Sequence, residues 1–130
     1  MKTFIVDTNV LLRFLLKDVP NQVTEAREKF QQAKEGKIEL IIPQVVIFEI
    51  VFHLSKLYKF DKNKVIEGLK VILNTQYLKI QDRKIFKVTV QIFQKNNLSF
   101  VDCFLAAYST EDEGEVFTFD QGLNKLLKSN

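Results

Sequence analysis

The sequence predicts an α/β fold: one domain over residues 1–130, with a parallel sheet flanked by helices on both faces. Short β-rich runs alternate with longer segments whose apolar residues recur at helical spacing, and this alternation is typical of parallel sheets. The length of 130 residues suits a single domain with one core. We therefore expect a single domain built on one sheet of short strands.

The elements follow in order along the chain. The predicted strands cover residues 3–6, 38–42, 76–80 and 116–119. The predicted helices cover residues 10–16, 20–34, 43–58, a segment after Asp61, and residues 83–95, 100–110 and 121–128. The sequence therefore places a helix after every strand.

Five residues mark the predicted ends of these helices. Asp61, Asp82 and Ser99 each precede a helix and are typical N-caps. Pro43 suits the first turn of a helix, and Gly36 suits the position just after one. These residues set the helix boundaries that we expect.

Composition is that of an ordinary soluble globular protein, with 46% hydrophobic and 27% charged residues. The net charge of +3 is compatible with a polyanionic partner but is weak evidence for one. The one cysteine, Cys103, allows no intrachain disulfide, which favours a cytoplasmic location and a core role for Cys103. We expect neither a signal peptide nor a membrane span, because Asp7 interrupts the first apolar region and no apolar run approaches about 20 residues.

Four carboxylates lie among apolar residues. Asp7 follows F-I-V and Asp120 follows V-F-T-F, so each ends a predicted strand. Glu49 interrupts V-V-I-F-E-I-V-F, and Asp102 interrupts F-V-D-C-F-L-A-A, so each lies in the first two turns of a predicted helix. A charge in apolar surroundings costs several kcal/mol, roughly, unless it is paired or binds a metal.

These four carboxylates are predicted to converge on one edge of the sheet. Strand ends and the starts of the following helices share the carboxyl edge of a parallel sheet, where ligands bind. No matching cluster of cations is visible in the sequence, so a hard divalent cation would supply the counter-charge. Mg²⁺ or Mn²⁺ fits oxygen ligands, whereas one His and one Cys do not indicate zinc. Such a site would hydrolyse or transfer a phosphate ester.

A simpler interpretation explains half of this pattern. Asp7 and Asp120 could be helix N-caps and nothing more. Capping does not account for Glu49 and Asp102, which lie inside apolar helix segments. Both interpretations remain open for the first pair.

The chain resembles the PIN-domain ribonucleases, and among them the small VapC-type toxins of toxin–antitoxin pairs. The resemblance rests on V-D-T-N-V-L-L-R (residues 6–13), Glu49 within I-F-E-I, F-V-D-C-F-L-A-A (residues 100–107) and T-F-D (residues 118–120). It extends over the whole chain, and the first and third motifs are the more specific ones.

This resemblance implies a PIN-like domain with a parallel sheet of four or five strands between helices. It also implies an activity, cofactors and partners. Asp7, Glu49, Asp102 and Asp120 would bind one or two Mg²⁺ or Mn²⁺ ions, and Asn9 and Thr118 would support them. The reaction would be endonucleolytic hydrolysis of RNA, leaving a 5′-phosphate and a 3′-hydroxyl. The protein would form a homodimer and bind an antitoxin along its active-site groove.

Other features of the sequence qualify the resemblance. Q-G-L follows Asp120 where many relatives carry a further acid, so a second metal site is less firmly indicated. Arg13 is a candidate contact for substrate or antitoxin. His53, four residues after Glu49, is interpreted as a helix-face histidine rather than a ligand.

The sequence leaves three other functions as alternatives, and they are not equally well supported. A phosphotransferase with Asp7 as nucleophile usually has a second acid two residues later, and position 9 is Asn. A non-catalytic RNA- or protein-binding module would be expected to lose acids, and all four are present. An RNA-processing nuclease outside toxin–antitoxin systems would use the same residues.

Overall fold

A computed structural model describes residues 1–112 and 114–129. Within them the chain forms these elements, in order: β1 (Lys2–Ile5), α1 (Thr8–Leu16), α2 (Pro20–Lys34), β2 (Ile38–Ile42), α3 (Gln44–Phe52), a π-helical turn (His53–Leu57), α4 (Lys62–Leu73), β3 (Leu78–Ile80), α5 (Arg83–Lys95), α6 (Phe100–Glu111) and α7 (Gln121–Ser129). The chain divides into two compact units, which we call unit 1 (Met1–Gln81) and unit 2 (Asp82–Asn130).

The strands of unit 1 form a parallel sheet in the order β1-β2-β3, which confirms the predicted α/β class. Lys2 lies opposite Ile38 across the first pair, and Leu40 lies opposite Leu78 across the second. The backbone N–H of Val6 donates to the carbonyl of Ile41 at 2.9 Å, so the pairing continues one residue beyond β1. Residue 7 therefore follows directly after a paired backbone.

The described residues contain three strands, whereas four or five were expected, so the predicted strand at residues 116–119 is wrong. The Phe117 and Phe119 side chains are 87% and 90% exposed, so burial does not stabilise a strand there. The segment is instead held by local bonds: the Asp120 N–H donates to the Thr118 hydroxyl at 3.1 Å. Such side-chain bonds offer the backbone an alternative to a strand ladder.

Three predicted helix ends are confirmed. Gly36 adopts a left-handed backbone (φ 77°) just after α2, a conformation that costs glycine little. Asp61 accepts a hydrogen bond from the Lys64 N–H at 2.9 Å, and Ser99 accepts one from the Asp102 N–H at 3.1 Å. Each cap satisfies an N–H that has no partner inside its helix.

Two predicted boundaries are wrong in detail. Asp82 precedes α5 in the left-handed region (φ 59°), and its side chain makes no capping hydrogen bond. The helix predicted over residues 43–58 ends as an α-helix at Phe52 and continues as the π-helical turn. There the Tyr58 N–H donates to the His53 carbonyl, five residues back.

Each unit has its own apolar core. Unit 1 buries aliphatic side chains from its sheet and helices, among them Leu11, Leu12, Leu40, Ile42, Ile47, Ile50, Leu54, Leu69, Ile72 and Leu78. Unit 2 is centred on Phe86, whose ring centroid lies 5.1 Å from Phe104 and 6.2 Å from Phe100. Cys103 is fully buried there, which confirms its predicted core role. Across residues 1–112 and 114–129, no helix is sufficiently long and apolar to cross a bilayer.

Candidate active site

Asp7 lies at the carboxyl end of β1 and caps α1. Its backbone is extended (φ −88°, ψ 173°), and its Oδ1 accepts a hydrogen bond from the Val10 N–H at 3.0 Å. The side chain is exposed, and Oδ2 makes no hydrogen bond within the described part of the chain. The cap therefore leaves one carboxylate oxygen for an external ligand.

An open cavity of about 310 Å³ in unit 1 adjoins Asp7. Asn9 and Arg13 line it together with Asp7, and its walls are otherwise largely apolar, with Phe4 and Phe30 among them. Asn9 is exposed and lies two residues after the cap. The cavity brings the predicted acid and its predicted supporting amide to one surface.

Glu49 lies in the second half of α3 with its side chain 51% exposed. The Nδ1 of His53 lies 2.7 Å from the Glu49 carbonyl oxygen and 3.7 Å from its Oε2. Because a carbonyl only accepts hydrogen bonds, Nδ1 carries the proton in this contact. His53 thus has a partner on its own helix, in agreement with the predicted helix-face histidine.

Asp102 lies in the first turn of α6 and is half-buried. Its N–H is the one that Ser99 caps. The helix begins beside the Phe86–Phe104 core, so packing fixes the turn that carries this carboxylate. The positive end of the helix dipole favours a negative charge at this position.

Asp120 caps α7 through its Oδ1, which accepts a hydrogen bond from the Leu123 N–H at 2.8 Å. Thr118 holds the same residue from the other side, because its hydroxyl accepts the Asp120 N–H at 3.1 Å. The amide of Asn124 donates to the Thr118 carbonyl at 3.0 Å. Three side chains thus fix a segment that has no strand pairing.

Arg13 is engaged within unit 1. Its Nε lies 3.1 Å from Oδ1 of Asp18, and its second terminal nitrogen donates to the Tyr58 hydroxyl at 3.0 Å. The same hydroxyl donates to Oδ2 of Asp18 at 3.2 Å. With only 12% of its side chain exposed, Arg13 joins the end of α1 to the end of the π-helical turn.

The surroundings of the four acids differ from the prediction in one respect. Asp7, Glu49 and Asp120 are exposed, and Asp102 is half-buried, although each lies in an apolar stretch of sequence. The acids are directed to the surface, and some of their apolar neighbours in sequence, such as Val45 and Phe119, are exposed with them. The argument that burial of charge demands a metal is therefore wrong for the three exposed side chains.

The predicted metal ligands fall into two pairs. Asp7 and Glu49 belong to unit 1, and Asp102 and Asp120 belong to unit 2. Among residues 1–112 and 114–129, no three His, Cys, Asp or Glu side chains are grouped so that they could hold a metal ion. The four predicted ligands are all carboxylates, and Asp7 and Asp120 each use only one oxygen to cap a helix. This set of donors still fits a hard cation that prefers oxygen ligands.

Sequence reasoning missed three residues of this region. Asn124 donates to the backbone carbonyl of Thr118, six residues earlier, and no side-chain spacing in the sequence indicates that contact. Asp18 and Tyr58 are distant in sequence from each other, and nothing in the sequence links them to Arg13.

Comparison with known proteins agrees with the motifs. The PIN domain family matches residues 4–128 of the chain. A VapC ribonuclease of Aquifex aeolicus (strain VF5) is 27% identical over 124 residues, which cover 94% of this chain and 90% of that protein. No solved structure matches the chain. The matched range includes all four acids.

Proposed function

Because the chain belongs to the PIN-domain family and is a protein of VapC type, we propose that it is a metal-dependent endoribonuclease. In this proposal it acts as the toxin of a type II toxin–antitoxin pair. The observation that carries the proposal is the match over residues 4–128, which spans all four motif acids and is joined by similarity to a protein named as a ribonuclease. The whole of residues 1–130 would act as one domain.

Asp7, Glu49, Asp102 and Asp120 would hold one or two Mg²⁺ or Mn²⁺ ions. When bound, such an ion lowers the pKa of a water and neutralises charge on the phosphate. Three of the acids, Asp7, Asp102 and Asp120, lie at helix N-termini, where backbone N–H groups and the helix dipole stabilise negative charge. Each of these three carboxylates is thus held at a helix end.

The supporting residues act on the carboxylates. The Thr118 hydroxyl positions Asp120 by accepting the Asp120 backbone N–H, and the Asn124 amide fixes Thr118 by donating to its carbonyl. Asn9 lines the cavity beside Asp7 and would hydrogen-bond either the acid or the attacking water. The water would attack phosphorus as the bond to the 3′-oxygen breaks, leaving 5′-phosphate and 3′-hydroxyl ends.

The partners follow from the same proposal. The substrate would be RNA, and the activity would be held in check by an antitoxin whose segment lies along the active-site groove. A homodimer in the cytoplasm is the assembly we propose. Arg13 would then act mainly by fixing the end of α1, since its guanidinium already bonds Asp18 and Tyr58.

The first test is cleavage of a mixed RNA pool by the purified protein. We expect cuts with Mg²⁺ or Mn²⁺ and none with chelator, with 5′-phosphate ends at the cut sites. Asp102→Asn, which keeps the size of the side chain and removes its charge, serves as the inactive variant. Mapping the ends then identifies the RNA that is cut.

Wild-type protein that cuts no RNA with either metal, and carries no copurified antitoxin, would contradict the proposal and favour a non-catalytic binding module. Cleavage that persists in Asp102→Asn would remove this residue from the site. Expression of wild type and variant in cells without the antitoxin tests the toxin role, because only the active protein should arrest growth.

A further inference from the structure

A second cavity of about 380 Å³ lies in unit 1, on the side of α1 and α2 that faces α4. Arg13, Phe14, Leu15 and Lys17 line it from the end of α1, and Val71 and Tyr77 line it from α4 and the turn before β3. The rest of its lining comes from α2, namely Val23, Arg27, Phe30, Gln31 and Lys34. It shares Arg13 and Phe30 with the cavity beside Asp7.

The lining of this cavity is basic. It includes Arg13, Lys17, Arg27 and Lys34 and no carboxylate. Asp18 neutralises Arg13, but the other three cations are exposed and form no ion pair within residues 1–112 and 114–129. Three positive charges therefore surround one opening without a compensating acid.

None of the acids nearest in sequence lines this cavity: Asp18 pairs with Arg13, and Glu28 and Glu35 lie outside its lining. The Glu35 carboxylate accepts from the Gln31 amide at 3.1 Å and pairs with Lys37 at 3.1 Å, and these two contacts lower the pKa of Glu35. Glu25 lines the other cavity, beside Asp7. The polar residues that α2 contributes to the basic cavity, at positions 27, 31 and 34, follow the spacing of a single helix face.

The floor of the cavity is apolar and aromatic. The Phe14 and Phe30 ring centroids are 4.3 Å apart, and the Val71 side chain is 52% exposed. Burial raises the pKa of the Tyr77 hydroxyl, so this group remains a protonated hydrogen-bond donor at neutral pH. An apolar floor with cations at its rim matches a nucleotide, which has a flat base and an anionic phosphate.

We infer that this basic cavity binds the RNA at a nucleotide away from the scissile bond. The inference rests on the proposed function, because it concerns the same substrate. Ten residues separate Asp7 from Lys17, and at the rise of an α-helix they span about 15 Å. Arg27 and Lys34 are about 10 Å apart along α2, which allows them to contact different phosphates. The RNA is thus held at two places on unit 1, and the second place contributes affinity rather than chemistry.

Binding of a labelled single-stranded RNA, measured in chelator across a range of salt concentrations, tests this inference. The variant is Arg27→Gln combined with Lys34→Gln, and the matched control is Lys87→Gln combined with Lys125→Gln. The control removes the same charge from two exposed helix positions in unit 2. We expect about tenfold weaker binding for the cavity variant and a salt slope smaller by about 1.4, or 0.7 for each lost phosphate contact. The control should bind within about twofold of wild type.

Cleavage with Mg²⁺ separates the two proposals. If wild type cleaves RNA and the cavity variant binds RNA like the control, this inference is overturned and the proposed nuclease activity stands. An acidic protein segment then becomes the ligand to test. Wild type that neither binds nor cleaves RNA overturns both. If the double variant melts at a lower temperature than wild type, the single variant Lys34→Gln is measured against the control instead. Lys34 is exposed, and this variant removes half the charge.

Discussion

Asp7 and Asp120 occupy equivalent places in the sequence and are supported in different ways. Both follow an apolar run, and both cap a nine-residue helix through Oδ1. Asp7 follows a paired strand, and the N–H of its neighbour Val6 still bonds the carbonyl of Ile41. Asp120 follows a segment with no strand pairing, which Thr118 and Asn124 hold locally.

This difference teaches where mutations should act. The support of Asp7 belongs to the core of unit 1, so weakening it should cost stability. The support of Asp120 consists of a few exposed or half-buried hydrogen bonds, so weakening it should cost activity and little stability.

The largest expected effect comes from removing either charge. Asp7→Asn and Asp120→Asn should each lower RNA cleavage by about a hundredfold or more, because the proposed metal site would lose a ligand. Asparagine is as good an N-cap as aspartate, so the melting temperature should stay close to that of wild type. Cleavage rates and thermal melts measured together check both halves, and a variant that still cuts RNA in Mg²⁺ would remove that acid from the site.

The next effect concerns the support of Asp7. Leu11 is fully buried on α1, and Leu11→Ala should lower the free energy of unfolding by about 2–5 kcal/mol. Val10→Ala, at a neighbouring position that is 38% exposed, is the control and should lower it by less than about 1 kcal/mol. Denaturant titration measures both. Equal losses of unfolding free energy in the two variants would show that the buried Leu11 side chain does not anchor α1.

A smaller effect is expected around Asp120. Thr118→Val keeps the shape of the side chain but removes the hydroxyl that accepts the Asp120 N–H. We expect cleavage to fall several-fold and stability to fall by about 1 kcal/mol. Ser129→Ala, which removes a hydroxyl bonded to the Leu126 carbonyl in the last turn of the same helix, is the control. A Thr118→Val variant as active as this control would show that the hydroxyl does not position Asp120.

The smallest effect is expected at Gly122. A methyl group there would lie 3.1 Å from Leu98 and 3.3 Å from the capping Oδ1 of Asp120, so those atoms must shift by a few tenths of an ångström. Alanine favours a helix by about 1 kcal/mol over glycine, which should offset the crowding in stability. Gly122→Ala should therefore leave the melting temperature nearly unchanged and lower cleavage about two- to threefold, by displacing the carboxylate. Unchanged cleavage would show that this carboxylate tolerates displacement.

Much of unit 1 could be predicted from sequence because its signals are local and agree with each other. Pro20 and Gly36 bound α2, and the run at residues 38–42 is both β-rich and buried at its end. Asp61 acts as a cap because the chain turns into a helix directly after it, and the same signal identifies Ser99 in unit 2. The motif acids were identified by residue type and order, which need no coordinates.

The remaining features depend on interactions that no local pattern contains. The V-F-T-F run has strand propensity, but propensity gives a strand only where a partner strand and burial are available. Asp82 has the residue type of a cap and a left-handed backbone that does not cap. The exposure of three of the four acids could not be predicted either, because apolar neighbours in sequence need not be neighbours on one helix face.

The π-helical turn at His53–Leu57 acts as a one-residue phase shift between Glu49 and Tyr58. Between these two side chains the turn holds one residue more than a regular α-helix would need to keep both on their present faces. Deleting one residue here would restore regular winding and keep both side chains on their present faces. Regular α-helical winding over the same number of residues would instead rotate one side of the turn against the other by about 100°. Either Glu49 would leave its surface or Tyr58 would leave Arg13 and Asp18. An alignment without a gap to a relative whose helix is uninterrupted here would therefore match the wrong residues on one side of the turn.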